Sequence, residues 1–244
     1  MAIDYNNIYK QAAKNGGWSK AKPDDETSWG DMYLNLISEL NGDENILDIG
    51  TAEGNRFLMI ANHIASGIGI DVVSEMVDLA KKNEKLYPNI SFIVMDSDKL
   101  EFDDNLFDII TARHASFDLP EAYRVLKKNG LVITQQIYES DKKNLKEAFG
   151  RGQDWGVNPG TRLERYKQEA LDQGFEIIDE MVSDQPYIFP SKQELLEYLK
   201  FTPTIYDFNE ESDALLLDGF IRENQTSEGI VSNSSRFLLK LRKL

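Results

Sequence analysis

Short apolar runs alternate with helical stretches along this chain, and several of the runs close on an acid or a glycine. That alternation constrains the fold more than any other feature, because it is the pattern of βαβ units laid into a mostly parallel sheet. Strands are expected at 45–50, 67–71, 90–94, 107–112, 131–137, 175–178 and 235–241. Helical periodicity separates them: Met32, Tyr33, Leu36, Ile37 and Leu40 share a face that Asn41-Gly42 ends, and Phe57, Leu58, Ile60, Ala61 and Ile64 share the next. Ser74 suits the N-cap of a third helix carrying Met76, Leu79, Ala80 and Leu86. Pro120 suits the first turn of a fourth, which is expected to run to Lys127-Lys128-Asn129-Gly130. A polar helix is expected near Lys142 to Phe149, and capping boxes at Thr161–Glu164 and Ser191–Glu194 mark two further helix starts.

The expected architecture is an α/β, Rossmann-like, doubly wound seven-stranded sheet in a single domain spanning 1–244. It carries an N-terminal helical segment (about 1–41, broken by Gly16-Gly17 and Pro23) and lid insertions at about 139–173 and 184–230. No stretch of roughly 18 apolar residues offers a membrane span, and the N-terminus lacks the apolar run of a signal peptide. The chain has no cysteine, which excludes thiol catalysis and cysteine-ligated metal; only two histidines, His63 and His114, disfavour a His-rich metal site, and a reducing cytoplasm is compatible with the composition. The net charge of −15 disfavours phosphate backbones and anionic lipids as partners.

The most informative stretch is Ile46 to Asn55, where a strand meets a turn of small residues and then a helix. Small residues let a ligand approach the backbone, and a helix N-terminus offers free N–H groups. A dinucleotide fingerprint would need glycine at 50, 52 and 55, where this chain has Gly50, Ala52 and Asn55, and the Gly-Lys-Ser/Thr of a P-loop is absent. Asp71 stands about 20 residues beyond Gly50, the separation at which a carboxylate reaches ribose hydroxyls. Asp96-Ser97 closes the third strand, where an adenine edge would lie. Asp48 with Gly50 and Gly54, then Asp71, then Asp96-Ser97 follow the order that a nucleoside ligand requires, although each alone fits a cap, a turn or a loop.

On these residues the chain resembles the class I S-adenosylmethionine-dependent methyltransferases over about 45–137. The first motif of that family is matched by Leu47-Asp48-Ile49-Gly50-Thr51-Ala52-Glu53-Gly54, and the fourth by Phe107-Asp108-Ile109-Ile110-Thr111-Ala112-Arg113-His114. Tyr123-Arg124-Val125-Leu126-Lys127-Lys128-Asn129-Gly130 matches the approach to strand five, with one extra residue before the glycine. Ala52 replaces the family's middle glycine and fits the turn if its φ stays negative. The resemblance implies an antiparallel last strand and S-adenosyl-L-methionine as cofactor, with S-adenosyl-L-homocysteine as product. It implies cofactor contacts from Asp48, Gly50, Thr51, Ala52, Gly54, Asp71, Val72, Asp96, Ser97 and Arg113.

Methyl transfer from a sulfonium depends chiefly on positioning, with a base needed only for a protonated acceptor. His114 is the candidate base or orienting group, with local packing as the alternative. Arg113 either orients an anion or pairs with an acid, and His63 reads as structural or exposed. Trp18, Trp29 and Trp155 either form an aromatic lid or pack in the core; Arg151 and Arg162 either receive an anionic group or lie solvated. The Asn/Asp-Pro-Pro-Tyr run of amino-group methylases of DNA is missing from the fourth motif. The expected function is a cytoplasmic small-molecule methyltransferase, with neither membrane nor metal. The alternatives are a tRNA or rRNA methyltransferase, with Lys143, Lys146, Arg151 and Arg162 as a basic patch, and a non-catalytic S-adenosylmethionine-binding protein. Acceptor and oligomeric state have no signal in the sequence.

Overall fold

The computed structural model describes residues 5–14, 16–18 and 27–244; the break expected at Pro23 lies outside them. Among the described residues, seven strands form one sheet in the order β3-β2-β1-β4-β5-β7-β6. They are β1 (Asn45–Ile49), β2 (Ser66–Asp71), β3 (Ile90–Val94), β4 (Phe107–Arg113), β5 (Leu126–Ile137), β6 (Phe175–Phe189) and β7 (Ile230–Lys243). The first five are mutually parallel, and β7 is inserted antiparallel between β5 and β6. The order reverses at β1, whose neighbours are β2 and β4, and the crevice above that reversal is where open α/β sheets bind ligands.

Side chains alternate across the pleat, so neighbouring residues of one strand serve opposite faces. Leu47, Ile110, Phe237 and Leu239 pack under α5 (Leu119–Val125) and α7 (Thr161–Asp172). Ile46, Ile109, Ile133 and Leu238 pack under α2 (Met32–Ile37), α3 (Asn55–Leu58) and α4 (Ser74–Asn83). A third cluster lies beyond the upper end of the sheet. There β6 and β7 continue as a paired ribbon to Phe189 and Ile230 and join α6 (Lys143–Phe149), α8 (Lys192–Phe201) and α9 (Ala214–Asn224) through Phe149, Phe189, Leu195, Leu199, Leu217 and Phe220. A fourth cluster fastens α1 (Tyr5–Lys14) to α4 through Ala12, Ala13, Val73 and Met76.

Several boundaries differ from expectation. The sixth strand runs to Phe189 rather than ending near 178, so 184–189 is sheet and not inserted chain. The seventh begins at Ile230, although Ser232-Asn233-Ser234-Ser235 has poor strand propensity; pairing with Asp184–Tyr187 overrides it. Helix α5 stops at Val125, because Leu126 is already extended and pairs with Phe107. Val73, not Ser74, is the N-cap of α4, and Asp71 Oδ1 accepts the Val73 N–H at 2.8 Å. Helix α7 is capped from outside its own sequence: Glu139 accepts from Gly160 N and Arg162 N at 3.0 and 2.6 Å. Ser191 does cap α8, accepting from Glu194 N. Among the described residues no helix is long and apolar enough to cross a membrane, and no cluster of His, Asp and Glu could hold a metal ion.

Candidate active site

A cavity of about 880 Å³ opens over the upper ends of β1 to β4. Its floor is the turn after β1. Gly50 N and Thr51 N both donate to Ile70 O, tying this turn to β2, and Gly50, Ala52 and Gly54 all have positive φ. A Cβ at Gly50 would meet the Ala115 methyl at 2.2 Å, so only glycine lets the turns after β1 and β4 close on each other. Ala52 takes φ +49, contrary to the negative value expected. Its N–H donates to Asp71 Oδ2 at 2.9 Å, and that bond opposes the steric cost of the left-handed conformation.

Asp71 thus accepts one backbone N–H on each oxygen, from Val73 and Ala52. Each oxygen keeps a second lone pair for a ligand. Burial holds the carboxyl above its ordinary pKa, opposed by these two hydrogen bonds. At the end of β3, Asp96 Oδ1 accepts the Asp98 N–H at 3.0 Å and Ser97 Oγ donates to Ser116 O.

Of the residues singled out from sequence, Gly50, Thr51, Ala52, Asp71, Val72, Asp96, Ser97, Arg113, His114 and Trp18 line this one cavity. Asp48, Gly54, Trp29, Trp155 and Arg151 do not. Asp48 is 1% exposed below the floor, where it accepts from Tyr33 Oη at 2.7 Å and Thr111 Oγ1 at 2.6 Å. Burial pushes its pKa up to about 6 against the opposing hydrogen bonds; its task is to hold Tyr33, which lines the cavity. Gly54 is a packing glycine, since a Cβ there would meet the Phe92 ring at 2.5 Å. Trp29 packs beside the α2 face of the sheet and donates from Nε1 to Gln135. Trp155 is about half exposed on an outer loop. Arg151 is consumed by Asp213 and Asp207, tying the loop after α6 to the approach to α9.

Sequence reasoning missed Tyr9, Tyr33, Glu53, Arg56, Met59, Met95, Gln153 and Pro203. Arg56, in the first turn of the helix that follows the glycine turn, was within reach of a local argument; it pairs with Asp31. Gln153 and Pro203 come from distant loops and carry no local signal. Three acids, Asp71, Asp96 and Asp98, stand over β2 and β3; Glu53 lies in the turn after β1 and Arg56 on α3, while Arg113 ends β4 and His114 follows it.

This strand order, with its antiparallel β7 and a ligand-sized cavity at the reversal, defines a Rossmann-like methyltransferase fold. Residues 46–130 match the family model described as a methyltransferase domain. The chain is 30% identical over 189 residues to the ubiquinone/menaquinone biosynthesis C-methyltransferase UbiE of Rickettsia bellii, which covers 70% of this chain and 72% of that protein. Among solved structures, a protein of Bacillus halodurans superposes with a TM-score of 0.63 at 19% identity, covering 88% of this chain and 99% of that one. The geranyl diphosphate C-methyltransferase of Streptomyces coelicolor, solved with Mg2+, geranyl diphosphate and S-adenosyl-L-homocysteine, superposes at 0.53 and 14% identity, covering 87% and 78%. The chain belongs to the class I S-adenosylmethionine-dependent methyltransferases and is a methyltransferase.

Proposed function

We propose that this chain, acting as a single cytoplasmic domain, transfers a methyl group from S-adenosyl-L-methionine to a small molecule. One observation carries the reading: the residues suited to a nucleoside and residues from distant segments, Gln153 and Pro203 from the roof and Trp18 from the N-terminal segment, line the same cavity. An acceptor that shares this space with the cofactor is enclosed on several sides, which suits a small molecule better than a polymer.

The residues present fit the cofactor. Asp71 would take the ribose hydroxyls on its two remaining lone pairs, Asp96 and Ser97 would meet the adenine, and the open turn at Gly50–Ala52 would allow close approach. The bound cofactor supplies an electrophilic methyl on a sulfonium. Tyr9, Trp18, Met59 and Met76 exclude water around it, and Arg113 with His114 orients the acceptor from the β4 side. The resident acids over β2 and β3 suit a cation. Carbon is the acceptor atom to test first, because the relative UbiE is named a C-methyltransferase.

The basic patch that an RNA substrate would use is largely spent inside the protein. Lys146 is 4% exposed and donates to Glu139 O and Gln153 O, Arg162 clamps Asp154, and Arg151 clamps Asp213.

The test has two stages. S-adenosyl-L-homocysteine is expected to raise the melting temperature, and mass spectrometry of a metabolite extract incubated with protein and cofactor is expected to reveal a species heavier by one methyl group. No stabilisation would overturn the cofactor assignment. Salt-sensitive binding of total RNA together with RNA methylation would replace the small molecule by a nucleic acid, and stabilisation without any methylated product would favour a cofactor-binding protein.

A further inference from the structure

Gln153, in the loop between α6 and α7, and Pro203, just beyond α8, are the roof residues of the cavity wall. Their two loops are joined backbone to backbone, since the Gln153 N–H donates to Thr204 O at 2.9 Å. The Gln153 carbonyl accepts from Lys146 Nζ at 3.0 Å, and the same ammonium donates to Glu139 O at 2.7 Å. On one side of Gln153, Gly152 lies so close to the second loop that a Cβ there would meet Thr204 O at 2.5 Å. On the other side, Arg162 Nη2 donates to both Asp154 oxygens at 2.8 Å, and the Asp154 N–H donates to Tyr206 Oη at 3.2 Å. Thr204 is itself buried and held by hydrogen bonds with Tyr198 Oη and Thr202 Oγ1.

The main chain of Gln153 is thus engaged on both of its polar groups, while its side chain is not. The amide oxygen and the NH2 group take part in no hydrogen bond among the described residues. A packing role alone would suit an apolar side chain, as Pro203 and Ile137 supply in the same wall. The charges of the roof are paired with one another, Arg162 with Asp154 and Arg151 with Asp213 and Asp207. What the roof has left to offer a ligand is one neutral group that both donates and accepts. We infer that Gln153 is a specificity-determining residue: it turns this amide to the methyl acceptor and selects it by a neutral oxygen group, a hydroxyl or a carbonyl.

The inference rests on the proposed reading of the cavity and adds one property of the acceptor to it. A hydrogen bond discriminates between ligands only when the group that makes it is held in place, because a loose loop lets its amide follow any partner. The bonds to Thr204 O and Lys146 Nζ supply that hold. An amide enclosed without a partner is unfavourable, so an acceptor that carries the matching oxygen group is preferred to an isostere that lacks it. The bonds that fix Gln153 run through its main chain, so a change of side chain leaves the loop in place. The acids proposed to meet the nucleoside, Asp71 and Asp96, stand over β2 and β3 and not in the roof. Acceptor selection and cofactor affinity are therefore separable.

Protein labelled with 15N-glutamine tests this without turnover. The side-chain NH2 signals of Gln153 are the pair missing from the spectrum of Gln153→Leu. In protein saturated with S-adenosyl-L-homocysteine, titration with a protein-free small-molecule extract is expected to move that pair. A pair that stays in place, or that moves with S-adenosyl-L-homocysteine and no further with extract, overturns the inference. Turnover gives a second readout, a dilution series of the same extract with S-adenosyl-L-methionine that carries a deuterated methyl group, followed by mass spectrometry. Gln153→Leu is expected to raise the extract concentration needed for half-maximal labelling by about tenfold. Its affinity for S-adenosyl-L-homocysteine and its midpoint in urea are expected to match wild type. A dilution curve identical to wild type, or a loss of S-adenosyl-L-homocysteine affinity in its place, overturns the inference. Wild-type protein that labels nothing defeats the methyl-transfer reading instead, and the NH2 titration still decides whether Gln153 meets a small molecule.

Discussion

The floor and the roof of the cavity are built by different means. The floor takes its geometry from strand ends: the turn after β1 hangs on Ile70 O, Asp71 is oriented by two backbone N–H groups, and His114 by the Gln135 carbonyl. Short side chains and main-chain bonds suffice because the sheet already sets the spacing to within one register. The roof lies beyond the sheet's main body and is held by long charged side chains buried with their partners. Asp141 accepts from Arg236 Nη1 at 2.6 Å, from the Ser235 N–H and from Lys142 Nζ, while Lys142, fully buried, lies over the Tyr187 ring. Lys146 and Arg162 fasten the loop that delivers Gln153, and burial lowers the Lys146 pKa. A floor made from backbone is expected to tolerate changes in the roof, and a roof made from ion pairs is expected to fail when one partner is removed.

Four experiments bear on this contrast. Asp71→Ala strikes the floor where the ligand is proposed to bind. Losing two hydrogen bonds to a charged group, at roughly 1.5–3 kcal/mol each, is expected to weaken S-adenosyl-L-homocysteine by a hundred-fold or more and to abolish its thermal shift. Undiminished affinity by titration calorimetry would remove Asp71 from the site. Asp141→Ala leaves Arg236 and Lys142 buried without their carboxylate, an arrangement that costs about 3–5 kcal/mol. Urea denaturation is expected to show that loss, with S-adenosyl-L-homocysteine binding largely kept; if binding vanishes in protein that remains folded, floor and roof are not separable.

Asp48→Asn examines the level beneath the floor. The folded carboxyl has its pKa raised from 3.8 to about 6, so the fold prefers the protonated acid. The stability from that preference is fully present below about pH 4 and is lost as the pH rises through about 6. The asparagine variant lacks this dependence. The difference in unfolding free energy between variant and wild type is expected to move in the variant's favour by about 2 kcal/mol from pH 4 to pH 8; parallel profiles would show that Asp48 does not titrate there. The smallest effect belongs to Ala52→Gly. Relief of about 1–2 kcal/mol of left-handed strain outweighs the roughly 0.4–1 kcal/mol lost to a more flexible unfolded chain, so the melting temperature is expected to rise by about 1–3 °C. A fall would mean that the Asp71 bond already removes the strain.

How far the site was legible follows the same division. Gly50, Asp71, Asp96 and Ser97 could be found because each lies at a strand end that local hydrophobic patterning marks, and parallel pairing brings successive strand ends together. Asp48 was placed one layer too high. Pattern puts it near the end of β1, but alternation across the pleat turns its side chain to the face that holds Tyr33. Trp155 and Arg151 were drawn to the cavity by their place in a glycine-rich loop, whereas the path of that loop depends on Lys146, Asp154 and Arg162.

The sequence by itself determined the alternating elements, the parallel order of the first five strands and the acids at their ends, because each depends on patterns only a few residues long. Tertiary structure alone decided how far β6 and β7 extend, which charges are buried and which residues roof the cavity. Ser232–Ser235 becomes strand because β6 lies beside it, and Lys142 is buried because Asp141, Asn233 and Tyr187 converge on it from separate parts of the chain. Such partners are up to about 90 residues apart, and no local period encodes a contact at that distance.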